Sequence, residues 1–184
     1  MSQINPSSNM SLDEDDTIPN ANKKENDDLY RIYLYNSNVP IYTIHDIDLY
    51  KNLSGYISVF TNDIKDKNII CPEFIEEREL TLIIEFIEKY KDTMNYKINL
   101  VEDKYYIDLD RPVKDLASFK KQVGDCYQVI EKIFFQKLFL SVINNAICFD
   151  VPILVDILCA KIALDIKYMT KSEINNYFKD VKGK

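Results

Sequence analysis

The run Phe149-Asp150-Val151-Pro152-Ile153-Leu154-Val155-Asp156-Ile157-Leu158-Cys159-Ala160-Lys161-Ile162-Ala163-Leu164-Asp165-Ile166-Lys167, continued by Tyr168-Met169-Thr170-Lys171-Ser172-Glu173-Ile174, decides how this chain is read. Proline fixes φ and lacks an N–H, which a first helical turn tolerates and a helix interior does not. Asp150-Val151-Pro152 therefore ends one helix and starts the next. Thr170-x-x-Glu173 is a capping box, and Met169 with Ile174 supplies the apolar pair that brackets it. Between these two starts, eleven of the fifteen residues 153–167 are apolar, Ala or Cys, against the four charges Asp156, Lys161, Asp165 and Lys167. The upstream segment Leu138-Phe139-Leu140-Ser141-Val142-Ile143 has the same character. A helix that is apolar nearly all round is buried on more than one side. One side belongs to the core. The second is expected to face another protein, with folding of the stretch 92–127 over it as the alternative.

Outward from this segment, the chain reads as helical from about 128 to its end. Residues 92–127 carry two readings, an extra hairpin through Tyr96-Ile98-Leu100 and Tyr106-Ile107-Leu109 or a mobile insert. A helix at about 76–91 has acids early (Glu76, Glu77, Glu79), bases late (Lys89, Lys91) and a stripe of Leu80, Ile83, Ile84 and Ile87, a charge order that suits the helix dipole. Ile69-Ile70-Cys71 reads as a short strand that Pro72 ends. Asp46 or Asp48 can cap a helix to about Phe60 carrying Ile47, Tyr50, Leu53 and Ile57. Tyr30, Ile32 and Leu34 alternate with Arg31, Tyr33 and Tyr35. The turn residues Asn36-Ser37-Asn38 then lead into Ile41-Tyr42-Thr43-Ile44, a β-hairpin pattern. The expected fold class is α/β, a small sheet with packed helices.

Charge is unevenly placed. Of the formal −7, residues 1–28 hold −5, from seven acids against Lys23 and Lys24, in a Ser/Asn/Asp/Pro-rich context. Such a segment cannot bury enough surface to order itself, so a disordered acidic tail is expected there. The remainder carries −2 and no basic stripe, which argues against nucleic acid as a partner. No apolar run approaches the roughly 18 residues that would span a bilayer, so no membrane partner is expected. Cys71, Cys148 and Cys159 sit in apolar runs, where cysteine behaves as a small buried hydrophobe. With no C-x-x-C pair and no charged-then-apolar leader pattern, the expected compartment is the reducing cytoplasm or nucleus.

Catalysis has little to stand on. The single histidine, His45, ends a strand pattern without a neighbouring nucleophile, whereas acid–base catalysis needs a base and a group to orient it. Gly55, Gly124 and Gly183 are isolated, so no phosphate-cradling loop exists. One His and four scattered Cys do not make a zinc site. The chain is read as a non-enzyme with no cofactor and no metal.

With these elements placed, the sequence resembles the Skp family, the S-phase-kinase-associated adaptors of cullin–RING ubiquitin ligases. Phe149-Asp150-Val151-x-x-Leu154-Val155-Asp156-x-x-Cys159-x-x-Ile162-Ala163, then Ile166-Lys167 and Thr170-x-x-Glu173-Ile174-x-x-x-Phe178, looks like that family's Leu-Asp-Ile-x-x-Leu-Leu-Asp-x-x-Cys run and the Thr-Pro-Glu-Glu-Ile helix after it. Ile32-x-Leu34-x-Asn36-Ser37-Asn38-x-x-Ile41-Tyr42-x-Ile44 is similar to its opening hairpin, and Ile70-Cys71-Pro72 with the helix behind it to its third strand and following helix. The resemblance covers roughly 30–92 and 128–180. It implies a BTB/POZ-like domain over 29–150 with an insert at about 92–127, and Skp-like helices over 151–184. It also implies a groove for an F-box protein involving Leu154, Ile157, Leu158, Ile162, Ile174, Tyr177 and Phe178. The family's Ala-Ala-Asn-Tyr is here Asn145-Ala146-Ile147-Cys148, so the cullin-facing pair becomes Ile147 and Cys148, and weakened cullin binding is expected. The rival reading is a BTB scaffold that associates with itself as a homodimer, without a role in ubiquitin transfer.

Overall fold

The computed structural model describes residues 29–64, 66–93, 99–101, 104–106, 115–179 and 181; the expected tail over 1–28 lies outside them. The architecture is mixed α/β and mostly helical. Strand β1 (Tyr30–Tyr33) pairs antiparallel with β2 (Pro40–Ile44), and the alternation seen in sequence sends Ile32 and Ile44 into the core. The turn between them places Asn36 at φ 60°, a conformation that Asn tolerates better than most L-residues. Pro40 opens β2, which is an edge strand, where its missing N–H costs no ladder bond. Helix α1 (Ile47–Leu53) is capped by Asp46, whose carboxylate accepts from the Leu49 N–H at 3.2 Å. The helix expected to reach Phe60 is broken at Ser54. The chain restarts there as α2 (Gly55–Val59) and continues through a π-helical turn, Phe60–Ile64. Strand β3 (Asn68–Ile70) then joins β1 in parallel, giving the order β2-β1-β3 with Ile69 opposite Ile32.

Helix α3 (Glu77–Thr93) is the centre of the molecule. Besides the expected stripe of Leu80, Ile83, Ile84 and Ile87, it buries Leu82, Phe86 and Tyr90 on a second face. What covers it corrects the reading of 92–127. A short hairpin, β4 (Asn99–Val101) with β5 (Lys104–Tyr106), is present, in the register Leu100 opposite Tyr105. The other hairpin positions, Tyr96, Ile98, Ile107 and Leu109, lie outside the described residues. The end of the stretch is helical and packed rather than mobile. Asp115 forms a capping box with Ser118 and starts α4 (Leu116–Val123), which runs through a 3-10 turn, Gly124–Cys126, into α5 (Tyr127–Phe135). Phe119, Val123 and Cys126, at spacings of four and three, are buried, and the 3-10 turn packs on α3.

The ends of α5 and of α6 (Phe139–Cys148) are built alike. After α5, Lys137 takes φ 56°, its N–H donates to the Phe134 carbonyl at 3.0 Å, and the Leu138 N–H reaches the Ile133 carbonyl at 3.0 Å. After α6, Asp150 takes φ 49°, its N–H donates to the Ile147 carbonyl at 3.0 Å, and the Val151 N–H reaches the Ala146 carbonyl at 2.9 Å. Both are Schellman closures made without glycine. Pro152 then opens α7 (Pro152–Ile166), as its chemistry requires, and the Thr170–Glu173 box starts α8 (Lys171–Lys179).

Cysteine placement differs from expectation in two cases. Cys71 is buried, and burial pushes its thiol up to about 12. Cys148 and Cys159 are exposed despite their apolar neighbours, because each falls on the outward face of its helix.

Candidate partner-binding face

The α6–α7 turn is where the two halves of the chain are joined. Ser54, fully buried, donates its hydroxyl to the Phe149 carbonyl at 2.6 Å and accepts from the Ile57 N–H at 3.3 Å. The Tyr56 N–H donates to that same carbonyl at 3.3 Å, and the Gly55 N–H to the Asp150 carbonyl at 3.0 Å. The free N–H groups at the start of α2 thus meet the free carbonyls at the end of α6, satisfying both helix ends at once. A Cβ on Gly55 would fall 1.9 Å from Asp150 Oδ2 and 3.1 Å from its Cβ, so any larger residue here would have to displace the Asp150 side chain.

From that fixed start, α7 buries Ile153, Leu154, Ile157 and Leu158. Leu154, Ile157 and Leu158 were expected in the F-box groove. In this chain they form the core-facing stripe, 0%, 1% and 0% exposed, so they support the face rather than line it. Their burial comes from within the chain, since α6 and α4 both pack on α7. The second side expected to need another protein is therefore partly covered by residues 116–123, the alternative left open in sequence. Further along α7, Val155, Ala160, Ile162, Leu164 and Ile166 are half-buried, and Asp156, Cys159 and Ala163 face solvent.

The remaining groove residues are accessible in part. Ile162, Ile174, Tyr177 and Phe178 are each half-buried, and no residue of α8 is fully buried. The last two are gathered by a residue that sequence reading did not assign. Phe139 stacks on Phe134 with centroids 4.8 Å apart, and Tyr177 and Phe178 lie 5.5 and 6.2 Å from it. The signal was present, as Phe134 and Phe139 flank the α5–α6 turn, but periodicity does not show that a later helix returns to that turn. Tyr177 donates its hydroxyl to Asp165 Oδ2 at 3.1 Å, and burial, aided by Asp165, pushes that hydroxyl well above the ordinary phenol range. Lys161 pairs with Asp165 and lies 4.9 Å from the Phe134 ring centroid. An aromatic floor with a fixed Lys–Asp–Tyr edge results.

Ile147 and Cys148, the pair that the resemblance puts toward a cullin, sit on the outer side of α6. Ile147 is 60% exposed and Cys148 is exposed beside it. Phe135, at the end of α5, is 90% exposed, and Tyr168, in the α7–α8 link, is also largely open. His45 is exposed at the end of β2. Among the described residues no group of three or more His, Cys, Asp or Glu could hold a metal ion, and no helix is long and apolar enough to cross a membrane. Comparison with protein-family models, curated proteins and solved structures returns no match for this chain.

Proposed function

We propose that the chain is a non-catalytic adaptor of BTB/POZ-like architecture whose C-terminal helices hold an F-box-type helical segment of another protein. The carrying observation is the α7–α8 face. Ile162, Ile174, Tyr177 and Phe178 keep part of their apolar surface in solvent, and α8 rests on the body without one fully buried residue. Exposed apolar side chains of this size are what a partner's amphipathic helix buries. Element order supports the reading. The opening hairpin, the third strand, the long helix after it and the C-terminal helices follow one another in the order that the Skp resemblance implies. On the cullin side, Ile147 and Cys148 offer an apolar surface in place of a polar–aromatic pair, so the adaptor would hold a cullin weakly.

Co-expression of the full chain with an F-box segment tests the proposal, with molar mass measured by light scattering after gel filtration. A one-to-one complex is expected. Ile174→Asp should abolish it while leaving the circular dichroism spectrum unchanged, since Ile174 is half-buried and outside the core cluster. A stable homodimer that ignores the F-box segment would replace the adaptor reading with the self-associating scaffold.

A further inference from the structure

A second feature lies on β2, α3 and α5, away from α8. The hydroxyls of Tyr42 and Tyr50 both donate to Glu88 Oε1, each at 2.7 Å. Tyr50 is fully buried, and its burial, with the bond to Glu88, pushes its hydroxyl far above the ordinary phenol range, so it stays a proton donor. Glu88 is thereby fixed through one oxygen. Among the residues whose side chains are described, none donates to its Oε2 and no cation pairs with it.

This carboxylate lines a cleft of about 340 Å³ with Tyr42, Ile84, Glu85, Lys89, Gln128, Val129 and Lys132. That volume is at the small end of the range of about 300–1,000 Å³ for ligand sites, enough for one long side chain rather than a cofactor. Glu85, one turn before Glu88, shows what a satisfied acid looks like here. Both its oxygens accept from Lys132 Nζ, at 2.7 and 2.8 Å. Lys132 is thus committed, and Lys89 is exposed at the next helical position, turned about 100° round α3 from Glu88. Holding two tyrosine hydroxyls requires only a neutral acceptor, which glutamine would supply. The charge is surplus to that role, and a carboxylate in a largely apolar cleft gains most from a cation.

We propose that this cleft receives one arginine side chain of a partner protein, its guanidinium on Glu88 Oε2 and its methylene stem along Ile84 and Val129. Arginine is favoured over lysine because its planar, weakly hydrated head can lie against the Tyr42 ring while donating to the carboxylate. The site goes beyond the F-box face, uses none of its residues, and stands or falls separately from it.

The test is methyl NMR on the full chain, following Ile84 and Val129 during titration with n-butylguanidinium and, separately, with the uncharged n-butylurea. Saturable shifts are expected with the first and none with the second. Glu88→Gln, which keeps an acceptor for both tyrosines, should weaken the guanidinium response about tenfold or more, a loss of one charge-assisted contact. The proposal is overturned if the two probes behave alike on the unaltered chain, if neither saturates, or if folded Glu88→Gln binds the guanidinium as well as the parent.

Discussion

Replacing Ser54 by alanine removes one oxygen and two buried hydrogen bonds at the point where the N-terminal sheet region and the C-terminal helices meet. The hydroxyl's donation to the Phe149 carbonyl spans 2.6 Å, and its acceptance from the Ile57 N–H caps α2. Loss of an N-cap costs about 1 kcal/mol, and loss of a net hydrogen bond about another 1 kcal/mol. Phe149's carbonyl is not orphaned, since the Tyr56 N–H still reaches it at 3.3 Å, which keeps the total near about 2 kcal/mol rather than higher. For a domain of this size that is a fall in Tm of about 4–8 °C. The chain has no tryptophan, so urea unfolding is best followed by circular dichroism at 222 nm, with tyrosine fluorescence as the second probe. The slope against urea should not change, because only the junction is altered. A variant within about 0.5 kcal/mol of the parent, the range of ordinary surface changes, would refute the reasoning.

Three further outcomes are expected. Gly55→Ala should destabilise through its collision with Asp150, whereas Asp150→Gly alone should be neutral or stabilising, since glycine adopts φ 49° without strain; thermal melts of the pair should show the second change rescuing part of the first. Ile157→Asp should abolish folding and partner binding together, because about 2–3 kcal/mol of apolar burial is replaced by an unpaired carboxylate in a structure of roughly 5–15 kcal/mol total stability; a folded, soluble variant by gel filtration would contradict the core position of Ile157. Glu173 is held below its ordinary value of 4.5 by the Thr170 N–H and hydroxyl, so its support of α8 is complete above that pH and is lost as pH falls through the lowered value; the protection of α8 amides relative to intrinsic exchange should therefore drop as pH falls below 4.5, and Glu173→Gln should remove that dependence.

Local chemistry made much of the fold legible. The Asp150-Val151-Pro152 break, the Thr170–Glu173 box, the Asp46 cap and the alternation around Ile32 each depend on residues within a few positions, and each appears in the structure. The failures share a cause as well. Asp115-x-x-Ser118 with Phe119, Val123 and Cys126 is a helix start followed by an apolar stripe, yet it was included in an insert ending at 127 because a short stripe does not say what it packs on. The break at Ser54 is set by Phe149 and Asp150, about 95 positions away, and nothing in the local sequence records that contact.

The same limit governs the candidate face. Periodicity counts how many sides of α7 are apolar, but it does not distinguish burial by this chain from burial by another. Leu154, Ile157 and Leu158 match a partner-binding pattern and are nevertheless closed off by α6 and the neighbouring core, while α4 takes up part of the second side. What separates the two uses is the completeness of burial. α7 begins at a turn pinned by three hydrogen bonds from Ser54, Gly55 and Tyr56, and in its first half Ile153, Leu154, Ile157 and Leu158 are all buried. α8 follows a four-residue link, packs through Tyr177 and Phe178, and buries neither fully. Apolar area left open on an element with few internal contacts is gained back only on association, and local opening costs least where such contacts are fewest. The part of the resemblance that carries partner recognition is therefore expected to reside in Ile162 and α8, with the first half of α7 serving as the rigid base on which they are presented.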